Sequence, residues 1–188
     1  MPKIRIAEIL EATTGGTRRH LLDLATGLDP AQFDLTLIVS VLRDPLFERD
    51  IEKLRAGGLT VHTIPMLREI SPWHDRRALI ELKRCLRQDR FDIVHTHSSK
   101  AGFLGRLAAR RAGVPVIIHT PHVFPFLMAV SRFRKAFYAA LERYSARFST
   151  RIICVWQGEK TAALQKHIAP ADTLTVIENG IDVEALTR

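Results

Sequence analysis

The residues best suited to chemistry are histidines grouped in two short stretches. His95, His97, Ser98, Ser99 and Lys100 form one group, and His119, Thr120 and His122 form the other. Imidazoles move protons near neutral pH and ligate metals. In His95-Thr96-His97 the alternation puts both rings on one face of a strand. Four imidazoles near strand ends could hold a metal, as in hydrolases with an H-x-H pair. Such a site usually adds carboxylates, and the nearest, Asp92, falls at the wrong end of its strand. No metal and no cofactor is therefore expected, and a metal-dependent hydrolase is the minor reading. His95 and His119, each inside a strand, fit hydrogen-bonded interior positions. A further candidate is Gly15-Gly16-Thr17, where two glycines precede a helical pattern. Glycines there let a backbone approach a ligand closely, with free N–H groups facing a phosphate or diphosphate. Two adjacent glycines alone also fit an ordinary tight turn; their place after the first strand favours the phosphate reading.

The elements that must position these groups are legible from hydrophobic periodicity. In FDIVHTHSSKAGFLGRLAARRAGVPVIIHTP, Asp92–Thr96 reads as a strand and Ala101–Ala112 as a helix. Gly113 stands in the helix-terminating position, and Pro115–His119 reads as the next strand. Strand, helix and short return make the βαβ unit of a parallel sheet. Around it the sequence predicts strands over Lys3–Leu10, Phe33–Leu42, Leu59–Ile64, Arg151–Val155 and Thr173–Ile177. Helices are predicted over Arg18–Leu28 (N-cap Thr17), Pro45–Ala56, Pro72–Asp89, Ser131–Ser149 and Glu159–His167. Apolar strands alternating with helices give an α/β, doubly wound, seven-stranded parallel sheet, Rossmann-like. Right-handed crossovers make 3-2-1-4-5-6-7 the most economical order. The switch point then lies between the first and fourth strands. The loops at Gly15-Gly16 and His95–Lys100 would flank one crevice there.

A length of 188 residues suits one such domain, and 46% hydrophobic with 26% charged residues is an ordinary globular composition. A net charge of +8 and a pI near 10.1 suit an anionic partner as well as a solvated basic surface. Cys85 and Cys154 are isolated, without a CxxC, which fits a reducing compartment. Met1–Ile9 runs into a strand without a signal-peptide pattern, so the expected location is cytoplasmic.

These stretches together resemble the N-terminal domain of glycosyltransferase family 4. The resemblance rests on Gly15-Gly16 with RRHLLDLATGL, on the FDIVHTHSSKAGFLGRLAARRAGVP block, on Thr120-Pro121-His122, and on Ile177-Glu178-Asn179-Gly180-Ile181-Asp182. It covers essentially the whole chain. It implies one half of a GT-B arrangement, in which a retaining enzyme moves a sugar from a nucleotide-sugar donor to a saccharide acceptor, lipid-linked in some members. Carried over by position, Gly15, Gly16 and Thr17 would approach the donor diphosphate, and His122 would reach the transferred sugar. His97, Ser98, Ser99, Lys100 and Thr120 would contact the acceptor. Residues 178–188 would begin the crossover to a second domain, which this sequence lacks and which would carry most of the donor pocket. By itself the chain is expected to bind the acceptor side and catalyse little. One departure is Trp156-Gln157, where family members often carry Ser-Glu.

The segment 123–149 combines an apolar loop, Val123–Met128, with Phe133, Phe137, Leu141, Tyr144 and Phe148 at helical spacing beside Arg132, Arg134, Lys135, Arg143 and Arg147. The favoured expectation is that this stripe packs on the sheet. The alternative is an anionic membrane surface, held peripherally beside a lipid-linked acceptor. A basic Rossmann-like module that binds nucleotide or nucleic acid without chemistry is a further alternative. The scattered arginines and lack of an RNP-like aromatic cluster speak against nucleic acid.

Overall fold

The computed structural model describes residues 2–180. Seven strands form one parallel sheet: β1 (Ile4–Leu10), β2 (Phe33–Val39), β3 (Thr60–Thr63), β4 (Ile93–His97), β5 (Val116–Thr120), β6 (Arg151–Cys154) and β7 (Leu174–Val176). Their order is 3-2-1-4-5-6-7, as the crossover rule predicts. The helices are α1 (Gly15–Gly27), α2 (Phe47–Ala56), α3 (Pro72–Asp89), α4 (Ser99–Ala112), α5 (Arg132–Ala146) and α6 (Gln157–Gln165), with a 3-10 turn at Pro125–Leu127. Alternation along β1 assigns the two faces. Ala7 and Ile9 join Leu82, Leu86, Leu104 and Ala108 beneath α3 and α4. Ile6 and Leu10 join Leu21, Phe47 and Ile51 beneath α1 and α2.

Several boundaries differ from the sequence expectation, each for a local reason. Helix α1 begins at Gly15, so its N-cap is Thr14 and not Thr17. Thr17 lies in the first turn, where its hydroxyl donates back to the carbonyls of Ala12 and Thr14 instead of capping an N–H. Ser99 and Lys100 likewise belong to the first turn of α4 and not to a loop. Within the apolar segment 123–128, Phe124 and Phe126 are buried against β6 and α6, while Val123, Leu127 and Met128 stay exposed. Gly113 closes α4 in the left-handed region at φ 82°, and Pro72 opens α3. The Asn179-Gly180-Ile181-Asp182 turn runs into residues outside those described.

The expectation that the aromatic stripe of α5 packs on the sheet is overturned. Phe133 is 90% exposed and Phe137 and Tyr144 are about half exposed, whereas Ala139, Glu142, Ser145 and Ala146 face inward. The inward face is small because α4 and α5 approach closely around an ion pair. Arg106 is fully buried and donates to Glu142 Oε2 at 2.7 Å and, through Nε, to the Gly102 carbonyl at 2.8 Å. A charge taken from water needs such a partner, so this pair dictates the face that α5 turns inward. Among the described residues no helix is long and apolar enough to cross a membrane.

Glycine permits the matching approach of α4 to the sheet. A Cβ on Gly102 would lie 2.4 Å from the buried His119 ring, and one on Gly105 would lie 2.7 Å from the Thr96 methyl. Gly102→Ala is expected to lower stability in urea unfolding by about 1–3 kcal/mol, despite alanine's better helix propensity. Gly27→Ala, with nothing within 4 Å, should be neutral or slightly stabilising. Equal effects at the two positions would remove the packing explanation.

Candidate active site at the carboxyl end of the sheet

Strand β1 pairs with β2 on one side and β4 on the other, so the switch point falls where predicted. Glu8 lies opposite His95 in that register. Its carboxylate is buried and sits between two imidazoles, with His95 Nδ1 at 3.1 Å and His97 Nε2 at 2.5 Å. On the far side His95 Nε2 meets the Thr120 hydroxyl at 2.8 Å, and His97 Nδ1 meets His122 Nε2 at 3.1 Å. The His20 ring, on α1, stands edge-on to both His97 and His122, with centroids 5.4 and 4.8 Å away. Strands β1, β4 and β5, helix α1 and the loop after β5 thus meet in one polar cluster at the carboxyl end of the sheet.

Electrostatics disfavours the charged form of His20, His97 and His122 around an anion. Burial alone would raise the Glu8 carboxyl, but the His95 charge interaction and the hydrogen bonds from His95 and His97 hold it far below its ordinary value. Burial lowers His97 to about 4, with His95 adding to the effect and Glu8 opposing it. Burial, then His97 and His20, lower His122 to about 3. His20 is lowered chiefly by burial, and its Nε2 is buried without a partner among the described residues. Burial and Arg106 hold His119 well below the ordinary range, with its Nδ1 against the Thr96 carbonyl and hydroxyl.

The predicted site residues divide into those that converge on the cluster and those spent elsewhere. His97, Thr120 and His122 converge, although Thr120 is buried and its hydroxyl serves His95. Ser98 is buried and donates to Glu11, which also accepts from the Ala101 N–H at 3.0 Å and so caps α4. Lys100 Nζ bonds Asp75 Oδ1 and the Glu69 carbonyl, each at 2.7 Å, tying α4 to α3. Ser99 is half-buried at the first position of α4. Gly15 and Gly16 are exposed, with open space where side chains would stand, and Gly15 has φ 57°. The expectation that no carboxylate lies near the histidines is corrected by Glu8. Glu8, His95 and His97 bring one potential ligand atom each within 4.8 Å of one another, as do His20, His97 and His122.

Sequence reading missed Glu8, Glu11, His20 and Glu159. The signal existed for the first two, since IAEILE sets two carboxylates in an apolar strand, and burying a charge demands partners. Glu159, fully buried, accepts from the Val123 N–H at 2.9 Å and from the Val155 N–H at 2.8 Å. Burial raises its carboxyl, against the lowering effect of those amides. It clasps a strained loop, since His122 and Val123 have φ of 50° and 79°, a region that a β-branched residue rarely enters. The Trp156 ring folds over Gly158, where any Cβ would collide with it.

The lowered histidines have a consequence for stability. Below pH 6.5 the unfolded chain takes up protons that folded His97 and His122 refuse until about 4 and 3. Their contribution is therefore complete above pH 6.5 and is lost as pH falls through that window. Glu8, also lowered, adds to the loss in the acid range, while the raised Glu159 acts in the opposite sense. Urea midpoints measured from pH 7.5 to 3.5 should begin to fall near pH 6.5, by a few kcal/mol in total. His122→Gln should flatten part of that fall; a wild-type profile flat down to the carboxylate range would contradict the neutral cluster.

Comparison with known proteins agrees with this geometry. The family model for Glycosyltransferase Family 4 matches residues 14–185. A UDP-Gal:alpha-D-GlcNAc-diphosphoundecaprenol alpha-1,3-galactosyltransferase from Escherichia coli is 38% identical over 184 residues, covering 97% of this chain and 46% of that protein. The chain thus spans about half the length of this relative. A glycosyltransferase from Rickettsia africae superposes with TM-score 0.68 at 19% identity, over 98% of this chain and 45% of that one. A UDP-GlcNAc 2-epimerase from Neisseria meningitidis superposes with TM-score 0.66 at 12% identity, over 92% and 46%. Likeness at these identities speaks for the shared Rossmann-like fold, one half of a GT-B arrangement, and not for one activity. The family match over most of the chain goes further: this protein belongs to glycosyltransferase family 4.

Proposed function

We propose that this chain is the acceptor-side half of a retaining glycosyltransferase that moves a sugar from a nucleotide-sugar donor to a lipid-linked saccharide. The observation that carries the reading is the convergence of His122 and the open glycine turn on the two sides of one switch point. Exposed backbone N–H groups at the start of a helix suit a diphosphate, and Gly15 and Gly16 leave room for one. His122, past the end of β5, is the residue that touches the transferred sugar. Ser99 and the rim of the β4 loop contact the acceptor, while Ser98, Lys100 and Thr120 shape that rim through their internal bonds. In this reading residues 1–188 form a single Rossmann-like domain, and 178–188 begin the crossover to a second one that holds most of the donor.

The acceptor class is supported by two independent observations. The E. coli relative is named for a diphosphoundecaprenol substrate. This chain also exposes Phe133, Phe137 and Tyr144 on α5, with Leu127 and Met128 in the preceding loop. Arg132, Arg134 and Arg147 are exposed around them. Exposed aromatics flanked by cations suit anionic headgroups, and each basic residue near such a surface contributes about 1 kcal/mol. The face would hold the protein on the membrane at the depth of a lipid-linked acceptor.

In the complete two-domain enzyme, His122→Ala is expected to lower transfer on the order of 10²-fold or more while leaving the melting temperature nearly unchanged. Unaltered turnover would return His122 to a structural role. Sedimentation with anionic liposomes should pull down the wild type and spare a variant with Arg132, Arg134 and Arg147 changed to Glu. Binding to neutral liposomes should be weak for both. Equal, negligible binding in all four combinations would leave α5 without a membrane role.

A further inference from the structure

His122 does not stand alone, and the groups behind it form an ordered chain. Glu8 is ionised, so its oxygens only accept hydrogen bonds. His97 Nε2, 2.5 Å from that carboxylate, must therefore carry the proton. A neutral imidazole has one N–H, so His97 Nδ1 is left as a lone pair. The atom facing it at 3.1 Å is His122 Nε2, which must be the donor. His122 is neutral as well, so its remaining nitrogen, Nδ1, holds a lone pair. That atom makes no hydrogen bond among the described residues and is not fully buried. On the other side His95 donates Nδ1–H to the same carboxylate, and its Nε2 meets the Thr120 hydroxyl. With two N–H groups aimed at it, the carboxylate has no reason to take up a proton.

We propose that Glu8 and His97 are positioning residues that lock His122 in its Nε2–H tautomer, presenting Nδ1 to the crevice as a hydrogen-bond acceptor for a substrate hydroxyl. The inference rests on the reading of His122 as the sugar-facing residue. It adds which nitrogen faces the substrate, what role that nitrogen plays and which buried residues set it. Free in water, a histidine exchanges between tautomers and offers an acceptor at either nitrogen. Here the direction is imposed by a charge two residues away in the chain of contacts. His20 reinforces it by packing edge-on against both rings, which leaves His122 little freedom to turn over. A ring flip would also place a carbon against His97 Nδ1 and break the chain.

The test reads the tautomer without any substrate. Long-range ¹H–¹⁵N correlation spectra of the ¹⁵N-histidine-labelled chain at pH 7 should show His122 as a single, slowly exchanging Nε2–H form. Glu8→Gln removes the fixed acceptor, so its spectrum should show His122 averaging between tautomers. His97→Gln should do the same, and it serves if Glu8→Gln does not fold. In the complete enzyme either change should lower kcat roughly 10- to 100-fold with a donor KM within a few-fold of wild type. An Nδ1–H form, or averaging already in the wild type, overturns the proposal. So does an unmoved His122 signal in Glu8→Gln. The wild-type spectrum requires no variant to fold. Because it is independent of turnover, a locked tautomer together with a fully active His122→Ala would refute the sugar-facing reading and leave the relay intact.

Discussion

Burial of the Glu8 carboxylate within an apolar parallel sheet is the constraint on which the rest of this site depends. An anion removed from water at the centre of a sheet is tolerable only with donors in contact on more than one side. The partners come from the neighbouring strand, since Glu8 stands opposite His95 and diagonal to His97 in the β1–β4 register. A one-residue slip would turn both rings to the opposite face and leave the charge alone, so the ion fixes register as firmly as the apolar pattern does. Helix α1 then brings His20 over the same cluster, and the β5 loop adds His122. The proposed function and the folding of the sheet edge thus draw on one interaction.

The strands, the order of the sheet and the switch point were legible in the sequence because each depends on runs of residues. Apolar strands alternating with helical segments leave few right-handed topologies, and a loop after β1 must meet a loop after β4. The histidines were legible as a group for the same reason. Their division of labour was not, because it depends on single contacts across the sheet. Thr120 and Ser98 read as polar loop residues able to meet a ligand, yet each spends its hydroxyl on a buried neighbour. Lys100 read as an acceptor contact, but Asp75, distant in sequence, holds it. Glu8 was overlooked although a carboxylate inside an apolar strand demands partners, because those partners lie about ninety positions away.

Helix α5 shows why amphipathicity alone misassigns a face. The aromatic stripe is the more apolar side and would normally be buried. Here the inward side is chosen by the Arg106–Glu142 pair and by the short distance that Gly102 and Gly105 impose between α4 and the sheet. A buried ion pair contributes little net stability, yet breaking it by exposing one partner to an apolar surface costs several kcal/mol. Turning the aromatics inward would require just that. Phe133, Phe137 and Tyr144 are consequently available at the surface, beside the crevice loop and among arginines, as the proposed membrane contact requires.

The loop that carries His122 is held at both ends of the residue by different carboxylates. Glu8 acts through His97 on the ring, and Glu159 acts on the backbone through the Val123 N–H. Left-handed conformations at His122 and Val123 cost on the order of 1–3 kcal/mol each. A hydrogen bond to a charged acceptor returns about 1.5–3 kcal/mol, so the Glu159 contact at Val123 offsets one such cost, while the His122–His97 bond between neutral rings returns less. The two anchors fix different things. With Glu159 only, the backbone would be fixed while the ring remained free to exchange its proton between nitrogens. With Glu8 only, the ring would be oriented on a loop free to relax toward an extended conformation and carry it out of the crevice. Placing the two anions on different elements, β1 and α6, makes the position of one imidazole a property of the whole sheet edge.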